Sequence, residues 1–415
     1  MMMFKRSIGL LAMMIVVMMD VYRELARHGG ILSKQMEVWY HVQVEGLQYG
    51  VADESPRNPL TGEPAAGPET LTESERARNR SDFWDEMRTR TLDDEWYQER
   101  SAREWSAIQT PFLSIGQWGS QGDHLRGNVE GFVRAGSGQK WLFVNCANLI
   151  SGLLGEQGTH IQRRFFDHFL KGADNGWERE PRVHLEVRHP DGSRTERFAE
   201  DWPLPGTEWT TYYLDADNSA LLRKPTDTSQ VSYQPMTKPV TFTSAPFESS
   251  TEVTGPLAAR LWISSATADA DLFLVLRVMD RQGKDVQFRD AFGKAEDALR
   301  NVSGGDLPAQ PLATGWLRAS HRKLDRGLSV PYRPYHTHDE AQPLTPGTIY
   351  EVEVEIWPTS IVIPHGYRLA LTVGGKDSGM HNIAGDRPTG TFSGEVTIYT
   401  GDAHPSQLLV PQQPK

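Results

Sequence analysis

The chain has 415 residues, of which 38% are hydrophobic and 23% charged, and its formal net charge at pH 7 is −11. This length exceeds one ordinary hydrophobic core and predicts two domains, or three. The composition is typical of a globular protein, and the acidic balance without a dense basic patch argues against a nucleic-acid partner. The single cysteine, Cys146, excludes an intrachain disulfide, and its place at the end of an apolar segment indicates a buried, unreactive thiol.

The N-terminal segment allows two interpretations. Lys5 and Arg6 precede a short apolar run over residues 8–19, an order that resembles a secretory signal peptide. The run is shorter than the roughly 20 apolar residues of a membrane-spanning helix, and no small-residue cleavage site follows it. We therefore favour a central strand of a parallel sheet over residues 13–19, which predicts a cytoplasmic protein, whereas a signal peptide predicts an exported one.

The next segment is rich in loops and short helical patterns. Residues 20–32 begin with a helical turn and end in a Gly-Gly break, and residues 52–70 are rich in Pro, Gly and charge, as exposed loops are. The apolar positions in residues 72–108 predict two amphipathic helices joined near residues 91–94. A helical insertion between core strands is the usual form of a lid over an active site, and a plain helical layer is the alternative.

Residues 111–172 read as two parallel β-α units. A buried strand at 111–116 leads through a glycine-rich turn into a helix at about 123–135, which Asp123 or Asn128 is placed to cap. A second strand at 140–146 precedes a helix that ends at Gly172. Strand and helix alternate at the spacing of a doubly wound sheet, of which this segment is the closing half.

Beyond Gly176 the pattern changes to many short strands. Segments such as "RVHLEVRH", "WTTYYLD" and "DLFLVLRVMD" alternate apolar and polar residues or form short apolar runs, with Gly, Pro and Asp between them. A helix is predicted only around residues 291–300. The pattern is typical of a β-sandwich or jelly roll, so the fold class is α/β followed by all-β.

Several stretches carry a family resemblance. They are "DVYRELARHGGIL", "DDEWYQERSAREWSAIQTPFLSIGQW", "RRFFDHFLKGADNGWEREPRVHLEVR", "ATGWLRASHRKLD" and "LTPGTIYEVEVEIWPTSIVIPHGYRLALTVGGKD". In this order they resemble the X-Pro dipeptidyl-peptidase and cocaine-esterase-like (CocE/NonD) serine hydrolases. The resemblance implies a partial α/β-hydrolase sheet at residues 1–175 with a helical lid at about 22–108. It also implies a jelly-roll domain of the X-Pro dipeptidyl-peptidase C-terminal type at residues 176–415.

The resemblance further implies hydrolysis of ester or X-Pro peptide bonds by a Ser-Asp-His triad. The nucleophile of such enzymes stands on a strand-turn-helix element that precedes the strand assigned to residues 13–19. That element needs about 25–30 residues, and fewer lie upstream. No G-x-S-x-G is found elsewhere, so we expect the amino-terminal part that carries the nucleophile to be missing.

The other two triad positions also depart from the family. Ser120 occupies the position of the acid, and Leu149 occupies that of the base. Asp123 is the candidate substitute for the acid, and a carboxylate facing the helix dipole is its plainer interpretation. His160 is the candidate substitute for the base, with His124 a further one, and His160 is otherwise a surface residue.

Three functions stay open on these grounds. The chain is a hydrolase of this family acting on a small acyl ester or peptide but inactivated here, a non-catalytic binding protein built on the jelly roll, or a truncated gene product that does not fold stably. Metal-ligand spacing and a phosphate-binding glycine loop are lacking, since "HTH" at 336–338 lies in a loop rich in Pro and Tyr, so no cofactor is expected. Nucleic-acid and membrane partners are not expected, and a homo-oligomer is left open.

Overall fold

The computed structural model describes residues 12–14, 20–146, 149–288, 312–376 and 390–414. The strands of its first part are β1 Ala12–Met14, β2 Arg27–His28, β3 Ile31–Leu32, β4 Phe112–Gln117, β5 Lys140–Asn145 and β6 Val183–Arg188. The helices are α1 Gln35–Trp39, α2 Glu73–Ala77, α3 Phe83–Thr89, α4 Glu95–Arg100, α5 Leu125–Arg134, α6 Leu149–Leu154 and α7 Glu156–Lys171. Two π-helical turns lie at Val21–Ala26 and Tyr40–Glu45.

Strands β1, β4, β5 and β6 lie side by side in parallel. Every residue of β4 is buried, as expected of a central parallel strand that carries apolar side chains on both faces of the sheet. Leu113 and Ile115 of β4 pack with Phe165 of α7, whereas Val129 of α5 packs with Leu142 of β5 on the opposite face. The predicted strands at 111–116 and 140–146 and the helix that ends at Gly172 are confirmed.

The strand favoured at residues 13–19 lies partly within the described residues. Ala12–Met14 pairs in parallel with the start of β4, and residues 15–19 lie outside the described ranges, as does the helix predicted at 291–300. In the described part of the chain, no helix has the length and apolar character needed to cross a membrane.

The prediction of two helices in residues 72–108 is wrong, because the structure has three short α-helices there. Carboxylates start two of them: Asp82 accepts a hydrogen bond from the Asp85 amide, and Asp94 accepts one from the Trp96 amide. Each of these side-chain caps starts a new helix and so interrupts the amphipathic pattern that the sequence presents as continuous. A 3₁₀ turn at Trp105–Ala107 then leads into β4.

The C-terminal part is built from strands. They are β7 Arg194–Ala199, β8 Glu208–Asp215, β9 Ala220–Leu222, β10 Ser229–Tyr233, β11 Val240–Ser244, β12 Thr251–Ser265, β13 Asp271–Met279, β14 Ala313–Arg318, β15 Tyr350–Ile363, β16 Arg368–Gly374, β17 Val396–Thr400 and β18 Gln407–Gln412. Hydrogen-bonded neighbours run β15–β14–β13–β16–β11–β9–β8–β18–β12 and return to β15. This closed circuit encloses one large apolar core, as the jelly-roll pattern predicts.

The two parts share a core rather than a flexible linker. Trp118, which follows β4, is fully buried in the same apolar cluster as Trp202, Phe273, Trp316 and Trp357. The segment that holds β2 and β3 closes over this cluster, where the Arg318 amide donates a 2.8 Å hydrogen bond to the Gly29 carbonyl. The first part of the chain is thereby packed directly onto β14.

Gly29 is required at this contact for two physical reasons. Its φ is +54°, and a Cβ placed on it would lie 2.0 Å from the Trp316 carbonyl oxygen. Gly62 has a similar φ of +75°, but a Cβ there would meet nothing within 4 Å. Substituting Gly62 therefore introduces backbone strain alone, whereas substituting Gly29 introduces the strain and a backbone clash.

We expect Gly29→Ala to lower the free energy of unfolding by about 1–3 kcal/mol more than Gly62→Ala does. Both variants bear the strain of a left-handed alanine, about 1–2 kcal/mol, and only the first must also push β14 aside. Denaturant titration followed by circular dichroism measures both losses. Equal losses would show that β14 does not pack against this turn.

Candidate functional site

The loop that follows β4 is the first candidate site. Gln117 ends the strand, Trp118 is fully buried, and its indole N–H donates a 2.7 Å hydrogen bond to the Glu186 carbonyl of β6. Gly122 turns the chain with a φ of +73°, and α5 begins at Leu125. The loop therefore lies at the carboxyl end of a buried parallel strand, where α/β enzymes place functional side chains.

Ser120, which the family resemblance predicts at the acid position, helps to hold this loop through its backbone. Its amide donates to the Gln117 carbonyl at 3.1 Å, and its own carbonyl accepts from the amides of Asp123 and Leu125 at 3.3 Å each. The residue is buried. A hydroxyl carries no negative charge, so it does not stabilise an imidazolium as a carboxylate does.

The Asp123 carboxylate does not cap α5. His124 is the residue at the cap position, it makes no side-chain capping bond, and Asn128 lies inside the helix and bonds to Ser114. The prediction that Asp123 or Asn128 caps this helix is therefore wrong. Asp123 instead accepts a 3.4 Å hydrogen bond from the side-chain amide of Gln35. The carboxylate faces the start of α1, not the helix dipole.

Asp123 contacts the imidazole of its own sequence neighbour. His124 Nε2 lies 3.1 Å from Asp123 Oδ1, and the two side chains are 8% and 24% exposed. Burial raises the pKa of Asp123 to about 6, and burial lowers the pKa of His124 to about 4. At neutral pH the contact joins a carboxylate to a neutral imidazole whose surroundings disfavour its protonation.

The other predicted base does not join this pair. His160 is exposed on α7, and no hydrogen bond or ion pair between it and Asp123 occurs among the described residues. Leu149 is the first residue of α6. Cys146 is buried at the end of β5, and its amide donates a 2.8 Å hydrogen bond to a Glu186 carboxylate oxygen.

A second polar cluster, which the sequence did not predict, joins the two parts of the chain. The Arg126 guanidinium on α5 donates to Glu24 at 2.9 Å and to both oxygens of Glu355 on β15 at 3.0 and 3.1 Å. Arg23 donates to Asp20 at 2.7 Å, to Asp93 at 2.8 Å and to two carbonyls in residues 336–337. We call these residues the junction network.

Four buried histidines surround the junction network. His321 Nδ1 lies 3.1 Å from His338 Nδ1, and the His336 and His338 rings are 5.7 Å apart. His28 lies against Trp316 and Trp357, with ring centroids 5.0 and 5.6 Å away. These histidines lie in the "RHGG", "ASHR" and "HTH" segments, and nothing in the sequence indicates that the three segments meet.

These histidines are held neutral by their surroundings. Burial lowers the pKa of His321 and of His336 to about 3 and that of His28 to about 4, and it lowers the pKa of His338 well below its usual value. Nearby arginines act in the same direction. No three His, Cys, Asp or Glu side chains are arranged to bind a metal ion in the ranges that the structure describes.

Comparison with known proteins shows which families and structures this chain is similar to. The family model of the X-Pro dipeptidyl-peptidase C-terminal non-catalytic domain matches residues 175–409. A "putative serine esterase" of Mycobacterium bovis is 28% identical over 60% of this chain and 40% of its own length. The cocaine esterase of a Rhodococcus species is 22% identical over 62% of this chain and 46% of its own length.

A solved structure extends the likeness over nearly the whole chain. A CocE/NonD family hydrolase from Staphylococcus aureus is 28% identical, with a TM-score of 0.77 over 95% of this chain and 66% of that one. An α-amino acid ester hydrolase, 11% identical with a TM-score of 0.63, shares the fold. The chain thus spans less than half the length of the curated relatives and about two thirds of the solved ones.

We expect the free energy of unfolding to fall as the pH drops from 6.5 towards 4. Unfolded histidine binds a proton near pH 6.5. In the folded state the pKa is about 3 for His321 and His336 and about 4 for His28, and that of His338 is also lowered well below its usual value, so the unfolded state holds more protons in this window. Each such histidine contributes a slope of about 1.4 kcal/mol per pH unit. Urea titrations at several pH values measure the slope.

His338→Asn tests whether the buried neutral histidines cause this pH dependence. His338 has a φ of +54°, which asparagine tolerates, so the backbone is preserved. We expect the slope to decrease by about 1.4 kcal/mol per pH unit, whereas the exposed His160→Asn control keeps the parental slope. An unchanged slope in His338→Asn would contradict the burial of a neutral imidazole.

Proposed function

Because this chain belongs to the X-Pro dipeptidyl-peptidase C-terminal domain family, we propose that it is a non-catalytic relative of the family's serine hydrolases, a scaffold that binds ligands without cleaving them. In this proposal residues 1–175 form a partial α/β-hydrolase domain with its lid at about 22–108, and residues 176–415 form the jelly roll. The pairing of Ala12–Met14 with β4 supports a cytoplasmic protein rather than an exported one.

The contact between Asp123 and His124 is the observation that carries this proposal. A triad acid must stabilise an imidazolium, and the base must take a proton near neutral pH. His124, with a pKa of about 4, is a poor proton acceptor at neutral pH, and it is held beside a carboxylate by sequence adjacency. The remaining candidate base, His160, is exposed on α7.

The residues at the family's triad positions support the same proposal. Ser120 is engaged in the turn after β4, and Leu149 begins a helix. Loss of a whole triad in a serine hydrolase removes about 10⁶-fold in rate and leaves only the contributions of the oxyanion hole and of substrate binding. A scaffold that binds without cleaving is the function that these side chains permit.

The names of the relatives favour a second candidate, serine hydrolysis. Relatives named as esterases match 60% and 62% of this chain in sequence, and a structural neighbour named as a hydrolase shares the fold over 95% of it. This function requires a nucleophile from residues outside the described ranges or from another polypeptide. A small acyl ester or an X-Pro peptide would then be the substrate.

We expect the purified chain to unfold cooperatively and to show no serine-dependent turnover of p-nitrophenyl butyrate or Ala-Pro-p-nitroanilide. Without a proton relay its rate should lie about 10⁶-fold below that of a triad-bearing relative assayed in parallel. A fluorophosphonate probe and intact mass measurement then report any activated serine. Thermal unfolding is recorded first, and a cooperative transition shows a stable core.

Two outcomes would contradict the proposal in different ways. Stoichiometric labelling of one serine, with turnover lost when that serine becomes alanine, would establish the hydrolase. A chain without a cooperative transition would favour a truncated product over a scaffold.

We expect Asp123→Asn to stabilise the protein by about 1–2 kcal/mol at pH 8 and to have no effect on stability near pH 4. The folded state holds a proton on Asp123 up to about pH 6, whereas the unfolded state releases it near pH 3.9, so the carboxylate lowers stability above that window. The partial exposure of the side chain reduces the full linkage value. Urea titration at both pH values measures the difference.

Glu63→Gln, on the exposed loop, serves as the control and should change stability little at either pH. A loss of stability in Asp123→Asn at pH 8 would show that the ionised carboxylate holds the loop, as a functional acid does.

A further inference from the structure

A cavity of about 340 Å³ lies between the lid region and the jelly roll, apart from the loop after β4. Its walls come from four separate parts of the chain, which contribute Arg23, Arg103, Trp105, Arg134 and Tyr335 among others. This volume is within the range of sites for small organic molecules. The junction network forms one of its walls, because Asp20, Arg23 and Asp93 line it.

The Arg134 guanidinium is held in place by aromatic rings. It lies 4.9 Å from the ring centroid of Trp105 and 5.9 Å from that of Tyr335, and Arg23 stacks on Tyr335 at 4.7 Å. Arg134 forms no ion pair with any residue that the structure describes. A stacked guanidinium is restrained in orientation, so it presents its N–H groups to a ligand at a low entropic cost.

Arg103 is the second arginine of this cavity without a carboxylate partner. Its Nε donates a 2.8 Å hydrogen bond to the Gln98 carbonyl, and no ion pair joins it to a described residue. This bond restrains Nε of the Arg103 guanidinium, and the two terminal nitrogens, Nη1 and Nη2, remain available to bind a ligand. Two guanidinium groups thus line one cavity, and no carboxylate of a described residue forms an ion pair with either of them.

The acidic residues of the cavity are already engaged. Asp20 and Asp93 both pair with Arg23, and Asp325 Oδ1 accepts the amides of Gly327 and Leu328 at 2.8 and 3.1 Å. Three aspartates and three arginines balance in charge across the walls. A singly charged anion suits this balance better than a doubly charged phosphate does.

We propose that this cavity binds a small organic acid, whose carboxylate pairs with Arg134 and Arg103 and whose apolar part lies against Trp105 and Tyr335. The planar guanidinium and the planar carboxylate match in two parallel hydrogen bonds. The proposal is independent of catalysis, because binding is measured on the intact chain whether or not it cleaves esters.

Isothermal titration of the full chain with benzoate tests this site. We expect saturable binding with one benzoate per chain, and we expect benzamide, the neutral analogue of the same shape, to bind at least tenfold more weakly. Arg134→Gln and Arg103→Gln should each raise the Kd for benzoate at least tenfold. Arg134→Lys, which keeps the charge and loses the planar fork, should also weaken binding.

Arg100→Gln is the matched control, since Arg100 stacks on Trp96 at 4.2 Å but does not line the cavity. It should leave the Kd unchanged. Thermal unfolding verifies each variant, and Arg103→Gln decides the matter if Arg134→Gln does not fold. Equal affinity for benzoate and benzamide, absence of benzoate binding, or tighter binding of inorganic phosphate would each overturn the proposal.

Discussion

The Arg126 guanidinium is buried where the N-terminal segment, α5 and β15 meet. It is 5% exposed, and its partners are the fully buried Glu24 and the 19% exposed Glu355. Burial raises the pKa of Glu24 to about 8, and Arg126 opposes this shift. Removing the Glu355 carboxylate would leave the buried Arg126 guanidinium without a compensating charge, which costs about 3–5 kcal/mol. The N-terminal segment, α5 and β15 must therefore meet in one arrangement.

That arrangement fixes the surroundings of both candidate sites. Arg126 follows the loop that carries Ser120 and Asp123 by only a few residues, so anchoring α5 to β15 also anchors this loop. Arg23 extends the same network to the Asp93 carboxylate and the Thr337 carbonyl, and both of these residues line the cavity of about 340 Å³. The cavity is consequently shaped by buried ion pairs, whose geometry is directional, more than by apolar packing.

The sequence predicted the elements whose signals are local. Strand β4 is apolar on both faces, and the Phe165 helix repeats its apolar residues at helical spacing, so both were assigned correctly. The three short helices α2, α3 and α4 were not, because the cap at Asp82 interrupts the continuous amphipathic pattern. The role of Asp123 was also missed, since α5 begins two residues later and turns the carboxylate towards Gln35.

The junction network lay beyond local reasoning because its partners are far apart in sequence. Arg23 and His336 are 313 residues apart, yet the guanidinium of one donates to the carbonyl of the other at 2.8 Å. Their pairing therefore depends on how the C-terminal strands and the parallel sheet pack together in the folded chain, which no local sequence pattern encodes. A ligand bound as proposed in the adjacent cavity would stabilise the folded arrangement by about 2.7 kcal/mol at a concentration of 100 times its Kd, provided that it binds only the folded state.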